Sequence, residues 1–141
     1  MGTDCLIGRE NPDGTVTAIF CGHDSQPPYV GAMLRDHYTD AEKIDALMAL
    51  GDISVLGSDI GEKHKFRHGP DDWCDAYGRD RGEEEVSACA YSAAEFVGEV
   101  ASFYYYVYLF SLADKAWLCR SNRFGDRWLT IDAAIAVYEA K

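Results

Sequence analysis

The sequence predicts a single α+β domain over residues 1–141, with an antiparallel sheet of about four to six strands and about three or four helices packed against it. Short apolar, β-branched runs alternate with turn residues, which is typical of hairpins. Between them, apolar residues recur at helical spacing. With 141 residues, 48% of them hydrophobic, the chain has the length and composition of one folded domain and not of a disordered one.

A hairpin is predicted to open the fold, pairing residues 4–9 with residues 15–22. The turn between them, Asn11-Pro12-Asp13-Gly14, has the right chemistry. Proline fixes φ at the second position, and glycine accepts positive φ at the end.

Two helices are predicted after this hairpin. Pro27-Pro28 pre-sets the chain for the first, which places Val30, Met33, Leu34 and Tyr38 on one face. Thr39 and Glu42 predict a capping box for the second helix, and Gly51 predicts its end. The second helix is expected to bury Ile44, Leu47 and Met48.

Residues 51–85 are rich in glycine and charge, and we expect a long irregular connection there. One short helical turn is predicted within it, anchored by Ile53, Val55, Leu56 and Ile60.

The remainder of the chain predicts strands and two helices. Residues 86–91 alternate like a strand, residues 104–110 pair with 116–120 as a hairpin, and 127–131 add a strand. Ser92 and Glu95 form a second capping box. That box opens a helix with Phe96, Val97, Val100 and Phe103 on one face, and a last helix spans residues 132–140.

Charge is unevenly distributed along the chain. The net charge is −11, and residues 1–62 hold 11 acidic and 3 basic residues, a local charge of −8. Such a field repels nucleic acid, so direct nucleic-acid binding is not expected, and it steers the protein toward a basic partner. Ordinary solubility is the alternative explanation. The candidate partner-binding residues are Asp36, Asp40, Glu42, Asp45, Asp52, Asp59 and Glu62.

Metal chemistry is the main alternative function. Cys21 and His23 are two residues apart, so a strand would present both on one face, with Asp24 next to them. His64 and His68 are four apart, a spacing that suits zinc on a helical turn. Satisfied or solvated histidines are the competing interpretation, and we predict no cofactor.

The loop Tyr77-Gly-Arg-Asp-Arg-Gly-Glu83 is a further candidate. Arg79 and Arg81 could grip a carboxylate or a phosphate through two hydrogen bonds each. Asp80 and the acidic run 83–85 could instead satisfy both guanidinium groups within the loop.

The cysteine content and the lack of targeting signals predict the cellular compartment of the protein. Five cysteines, an odd number without a C-x-x-C pair, indicate a reduced compartment. The first ten residues lack the features of a signal peptide, and no apolar run is long enough to span a bilayer. We therefore expect a cytoplasmic protein without membrane contact, and its aromatic residues could support a homodimer.

A string of motifs resembles a family of small proteins carried by bacteriophages and mobile elements. The motifs are Gly2-Thr3, Ile7-Gly8, Asp13-Gly14-Thr15-Val16, Cys21-x-His23-Asp24, Pro28-x-Val30-Gly31, His37-Tyr38-Thr39, Glu42-Lys43, Leu50-Gly51-Asp52, Leu56-Gly57 and Tyr77-Gly-Arg-Asp-Arg-Gly-Glu83. They cover most of residues 1–110. The resemblance implies a small accessory phage protein expressed in a bacterial cytoplasm, and it implies no particular activity.

Together these features predict an acidic interaction protein. It would inhibit a host defence or nucleic-acid-handling complex, such as a CRISPR effector, by binding a basic surface that normally holds phosphate. The alternative is a small metal-dependent enzyme or metal-stabilised module centred on Cys21, His23 and Asp24.

Overall fold

The computed structural model describes residues 4–140, so Gly2-Thr3 of the motif string lies outside the described residues. An eight-stranded sheet organises the fold, in the order β4-β3-β2-β1-β6-β7-β8, with β5 also paired to β2. The strands are β1 Cys5–Glu10, β2 Thr15–Cys21, β3 Ile53–Val55, β4 Asp75–Ala76, β5 Cys89–Ser92, β6 Tyr106–Ser111, β7 Ala116–Arg120 and β8 Trp128–Thr130.

The α+β class is confirmed, but the prediction of an antiparallel sheet with about four to six strands holds only in part. Both predicted hairpins, β1–β2 and β6–β7, are antiparallel. However, β1 pairs with β6 and β2 with β3 in parallel, so the sheet is mixed. Apolar alternation indicates a strand but not its direction, because partners distant in sequence are chosen by tertiary packing.

The two strands that the sequence did not predict lie in residues 51–85. There β3 replaces the predicted helical turn, because Ile53 pairs with Cys21 and accepts a 3.0 Å hydrogen bond from the amide of Gly22. Strand β4 and helix α3 (Tyr77–Arg81) lie near the end of the segment. The connection is therefore irregular mainly over residues 56–74.

Two helices follow β2 as predicted. A π-helical turn, Pro27–Gly31, leads into α1 (Ala32–His37), and α2 spans Ala41–Leu50. Gly51 ends α2 with φ of 74°, as predicted. The predicted capping box, in which the Thr39 hydroxyl accepts the amide of Glu42, is wrong by one residue. The cap is Asp40, whose carboxylate accepts a 2.8 Å hydrogen bond from the amide of Lys43.

The later helices show why one predicted apolar face fails. Ser92 and Glu95 form the predicted capping box at the start of α4 (Ala93–Glu95). The chain then continues as a π-helical turn, Phe96–Val100, and a 3₁₀ turn, Ala101–Phe103. This change of pitch breaks the 3.6-residue period, so Phe103 is 77% exposed. A 3₁₀ turn, Asn122–Phe124, and α5, Ile131–Glu139, complete the helical segments.

Core residues occupy both faces of the sheet. Alternate residues of β1 and β6 point to opposite sides, as the pleat requires. One face packs against α1, α2 and α5 through Cys5, Ile7, Tyr106, Tyr108, Leu34, Ile44, Leu47 and Ile131. The other face is smaller and contains Leu6, Val16, Ala18, Phe96, Ala101, Val107 and Leu109.

All five cysteines are free thiols, four of them buried and Cys89 exposed. Within residues 4–140, none of the helices has the length and apolar character needed to cross a membrane.

Candidate functional site

The corner after β2 lies beside a cavity that several polar side chains line. Asp24 takes a left-handed backbone conformation with φ of 59°, which aspartate tolerates better than most residues. Its carbonyl oxygen accepts a 3.1 Å hydrogen bond from the amide of Val30, which ties the corner to the π-helical turn. The Asp24 side chain is exposed. It forms no ion pair or hydrogen bond with residues 4–140.

His23 is held by the neighbouring strand β3. Its Nδ1 lies 3.0 Å from the carbonyl oxygen of Ser54 and 3.2 Å from the Ser54 hydroxyl. A carbonyl can only accept, so Nδ1 carries a proton and donates it. In the neutral ring the lone pair is then on Nε2, and no residue of the described chain forms a hydrogen bond to it.

Beside this corner lies a cavity of about 320 Å³, which we call the corner cavity. One wall is the corner itself, the second is a stripe of the π-helical turn and α1, and the third is the end of β3. The lining residues are His23, Asp24, Pro28, Tyr29, Val30, Ala32, Met33, Asp36, His37, Val55 and Leu56. Most of these side chains are apolar and a few polar groups converge among them, which is typical of small-molecule sites.

The predicted pair of Cys21 and His23 does not form a reaction centre. Cys21 is fully buried in the core, directly opposite Cys5 across the β1–β2 ladder. Its Sγ lies 3.6 Å from the backbone oxygen of His23, so the thiol contacts the main chain and not the imidazole. The hydrogen bond with the Cys5 side chain lowers the pKa of Cys21, while burial raises the pKa of Cys5, so the two thiols interact with each other inside the core and not with the imidazole.

His64 joins two carboxylates instead of His68. The ligand atoms of His64, Asp75 and Asp80 all lie within 4.8 Å of one another, whereas His68 is exposed and belongs to a separate turn. Both imidazole nitrogens of His64 contact acceptors at 2.7 Å, the carboxylate of Asp75 and the carbonyl oxygen of Glu62. An imidazole that donates from both nitrogens is a cation, so His64 forms an ion-pair cluster with the two carboxylates in this structure.

Arg79 and Asp80 complete that cluster. The Arg79 guanidinium donates from Nε and from a terminal nitrogen to the Asp80 carboxylate at 2.8 and 3.0 Å. Burial opposes ionisation of Asp80, but Arg79 and the amides of Ala76 and His64 outweigh it and hold its pKa below the ordinary value. Arg81 pairs with Glu83. The loop therefore satisfies its own charges, the second of the two interpretations that the sequence allowed.

The seven acidic candidates fall into two groups. Asp36 pairs with Arg35, Asp45 pairs with Arg9, and Asp52 is half-buried, accepting the amide of Phe20 at 2.9 Å. The carboxylates of these three residues therefore already bind groups of the same chain. The other four form no ion pair with residues 4–140 and are exposed: Asp40, Glu42, Asp59 and Glu62.

Two hydrogen bonds to backbone carbonyls bring together the segments that carry part of this second group. The ammonium of Lys43, in the first turn of α2, donates to the carbonyl oxygen of Ser58 at 2.5 Å, so the start of α2, with Asp40 and Glu42, lies next to the segment that contains Asp59. The amide of Asp59 donates to the carbonyl oxygen of Asp72 at 2.8 Å. We call the four residues Asp40, Glu42, Asp59 and Asp72 the acidic patch.

Sequence reasoning missed several of these residues. His37 and Met33 follow Tyr29 at helical spacing, so the helical stripe was a usable signal for the cavity wall. Asp72 and Asp75 gave no signal, because a lone carboxylate in an irregular segment resembles any solvated acid.

A scan of protein-family models, a search of curated proteins and a search of solved structures each gave no match for this chain. The resemblance to phage proteins therefore stays a prediction.

Proposed function

We propose that this protein is an acidic interaction protein whose acidic patch binds a basic, nucleic-acid-binding surface of a host protein. In this proposal it is a phage accessory protein that inhibits a host defence or nucleic-acid-handling complex, as an anti-CRISPR protein does. The patch would occupy lysine and arginine side chains that otherwise hold phosphate.

The supporting observation is that every base in residues 1–62 already has a partner. Arg9 pairs with Asp45, and Arg35 pairs with both Asp36 and Asp132. Lys43 donates to Ser58 and lies 4.5 Å from the centroid of the Tyr38 ring. Arg9 and Arg35 are thus paired with carboxylates outside the acidic patch, and Lys43 is the one described base of residues 1–62 that lies beside it. Its single positive charge leaves the four carboxylates with a net negative charge for a partner.

The test compares three forms of the protein in affinity capture from a bacterial lysate. The patch variant combines Asp40→Asn, Glu42→Gln and Asp59→Asn; asparagine keeps the helix cap at position 40. The matched control removes three exposed carboxylates elsewhere, with Glu99→Gln, Asp114→Asn and Glu139→Gln.

We expect the wild-type protein and the control to retain the same nucleic-acid-binding protein, and the patch variant to lose it. Retention should also fall steeply as salt rises, because exposed charges are screened. If the patch variant retains the partner as well as the control does, or if salt has no effect, this mode of binding is wrong.

Elemental analysis separates this proposal from the metal-dependent alternative. Stoichiometric zinc, iron or manganese in untagged protein, lost on His23→Asn, would favour the alternative. We expect far less than one metal ion per chain, because the Cys21 thiol is fully buried and contacts the backbone oxygen of His23.

A further inference from the structure

We propose that the corner cavity binds a small organic cation, a primary ammonium on an apolar body, with Asp24 and Nε2 of His23 as its acceptors. The proposal uses no residue of the acidic patch. Its success or failure is therefore independent of the proposed function.

The polar groups of the cavity favour a ligand that donates hydrogen bonds. His23 donates Nδ1–H to Ser54, so its neutral ring offers Nε2 as an acceptor. The carboxylate of Asp24 can only accept, and no cation of the described chain pairs with it. Asp36 adds a second carboxylate, although Arg35 already donates to it at 2.8 Å. An ammonium group has three donors and no acceptor, so it complements these groups.

The ring of Tyr29 favours the same ligand class. Tyr29 lines the cavity and is 57% exposed, which leaves its ring accessible. The face of an aromatic ring attracts a cation and not an anion. His37 is the second imidazole of the lining, and it lies at the exposed end of α1.

The rest of the lining suits an apolar body. Val30 and Leu56 are buried, and Met33 and Val55 are half-buried on opposite walls. A volume of about 320 Å³ is at the small end of the range for ligand pockets, so it fits a single ring or a short alkyl chain. Methionine adapts its shape to such a guest.

The corner is prebuilt for this role. The left-handed conformation and the hydrogen bond from the amide of Val30 fix the backbone of Asp24, from which its side chain extends. The hydrogen bond to Ser54 fixes the orientation of the His23 imidazole. Because the imidazole of His23 and the backbone of Asp24 are positioned before the ligand arrives, binding has to order only the Asp24 side chain at this corner.

The first experiment needs no variant. 2-Phenylethylammonium, 2-phenylethanol and phenylacetate share an aromatic body and differ in the polar group. Each is titrated into ¹⁵N-labelled wild-type protein, followed by amide chemical shifts. We expect the amine to shift the amides of His23, Asp24 and Met33, and to bind at least about tenfold more tightly than the alcohol or the acid. Equal affinity for amine and alcohol, or tighter binding of phenylacetate, would overturn the proposal.

Two variants then test the named acceptors. Asp24→Asn removes the charge with a side chain that tolerates the left-handed backbone. His23→Asn keeps an N–H near the position of Nδ1 to donate to Ser54 and removes Nε2. Asp114→Asn is the matched control for charge, since it lies in the exposed β6–β7 turn.

We expect each cavity variant to bind 2-phenylethylammonium at least about tenfold more weakly than wild type, and the control to bind it unchanged. Wild-type affinity in both cavity variants, with native spectra, would overturn the proposal. If one variant fails to fold, the other and the ligand series still decide it.

A last arm distinguishes the source of the cation. A blocked Gly-Lys-Gly peptide is compared with its norleucine counterpart. Tighter binding of the lysine peptide than of the amine, at the same amides, identifies the ligand as a partner's side chain. Tighter binding of the amine identifies a free small molecule, and both outcomes support an ammonium site.

Discussion

Nε2 of His64 lies 2.7 Å from the carboxylate of Asp75, while Nδ1 lies 2.7 Å from the carbonyl oxygen of Glu62. These two hydrogen bonds raise the pKa of His64, the bond to Asp75 being the larger cause. A histidine with a raised pKa in the folded state stabilises the fold below its ordinary pKa of about 6.5. That contribution is lost as pH rises through the raised value.

We therefore expect residues 62–80 to open more easily as pH rises above the ordinary histidine pKa of about 6.5. The measurement is the hydrogen-exchange protection of the amides of His64, Arg67 and Ala76, corrected for the intrinsic rate at each pH. These amides donate to Asp80 or Asp75. His64→Gln should remove the pH dependence, and an identical fall in that variant would contradict the assignment to His64.

The two ion pairs of the loop should differ strongly in their effect on stability. The Asp80 side chain is fully buried, so Asp80→Asn leaves Arg79 without its carboxylate and should lower the free energy of unfolding by about 3 kcal/mol. Arg81 and Glu83 are both about half exposed, so Arg81→Ala should change it by less than about 0.5 kcal/mol. Urea unfolding measures both free energies. Equal effects of the two substitutions would show that burial does not determine how much each ion pair stabilises the fold.

The position of the α2 cap gives a third prediction. Asp40→Ala removes the acceptor for the Lys43 amide and should lower the free energy of unfolding by about 1 kcal/mol. Thr39→Ala should cost much less, because Thr39 precedes the cap. Asp40→Asn is the control and should stay near wild type. If Thr39→Ala is the more harmful change in thermal unfolding, the capping box that the sequence predicted operates in solution.

Substitutions at two glycines with positive φ distinguish the effect of backbone strain from that of steric collision. At Gly51, φ is 74°, and a Cβ would collide with the backbone of Val86. At Gly82, φ is 78°, with open space around it. We expect Gly82→Ala to lower the free energy of unfolding by about 1 kcal/mol and Gly51→Ala by more than about 2 kcal/mol. Similar losses in urea unfolding would mean that the chain relaxes around residue 51.

Local signals were enough where structure depends on neighbours in sequence. The Asn11 to Gly14 turn joins β1 to β2, Ser92 caps α4 and Gly51 ends α2, each as the residue chemistry predicted. Local sequence signals were wrong where two neighbouring residues could play the same role or where the helical pitch changed within a few residues. Asp40 and Thr39 were both suitable caps for α2, and the cap is Asp40. The turns after Glu95 change pitch, which exposes Phe103.

The sequence by itself determined the fold class, both hairpins, most helices and the excess of acids in residues 1–62, because these follow from local pattern and composition. Only the tertiary structure decided that β1 pairs with β6 in parallel, that His64 joins Asp75 and not His68, and that His23 faces a cavity while Cys21 is buried. Each of these pairs a residue with partners distant in the chain. Such pairings are selected by packing of the whole core, which no short segment encodes.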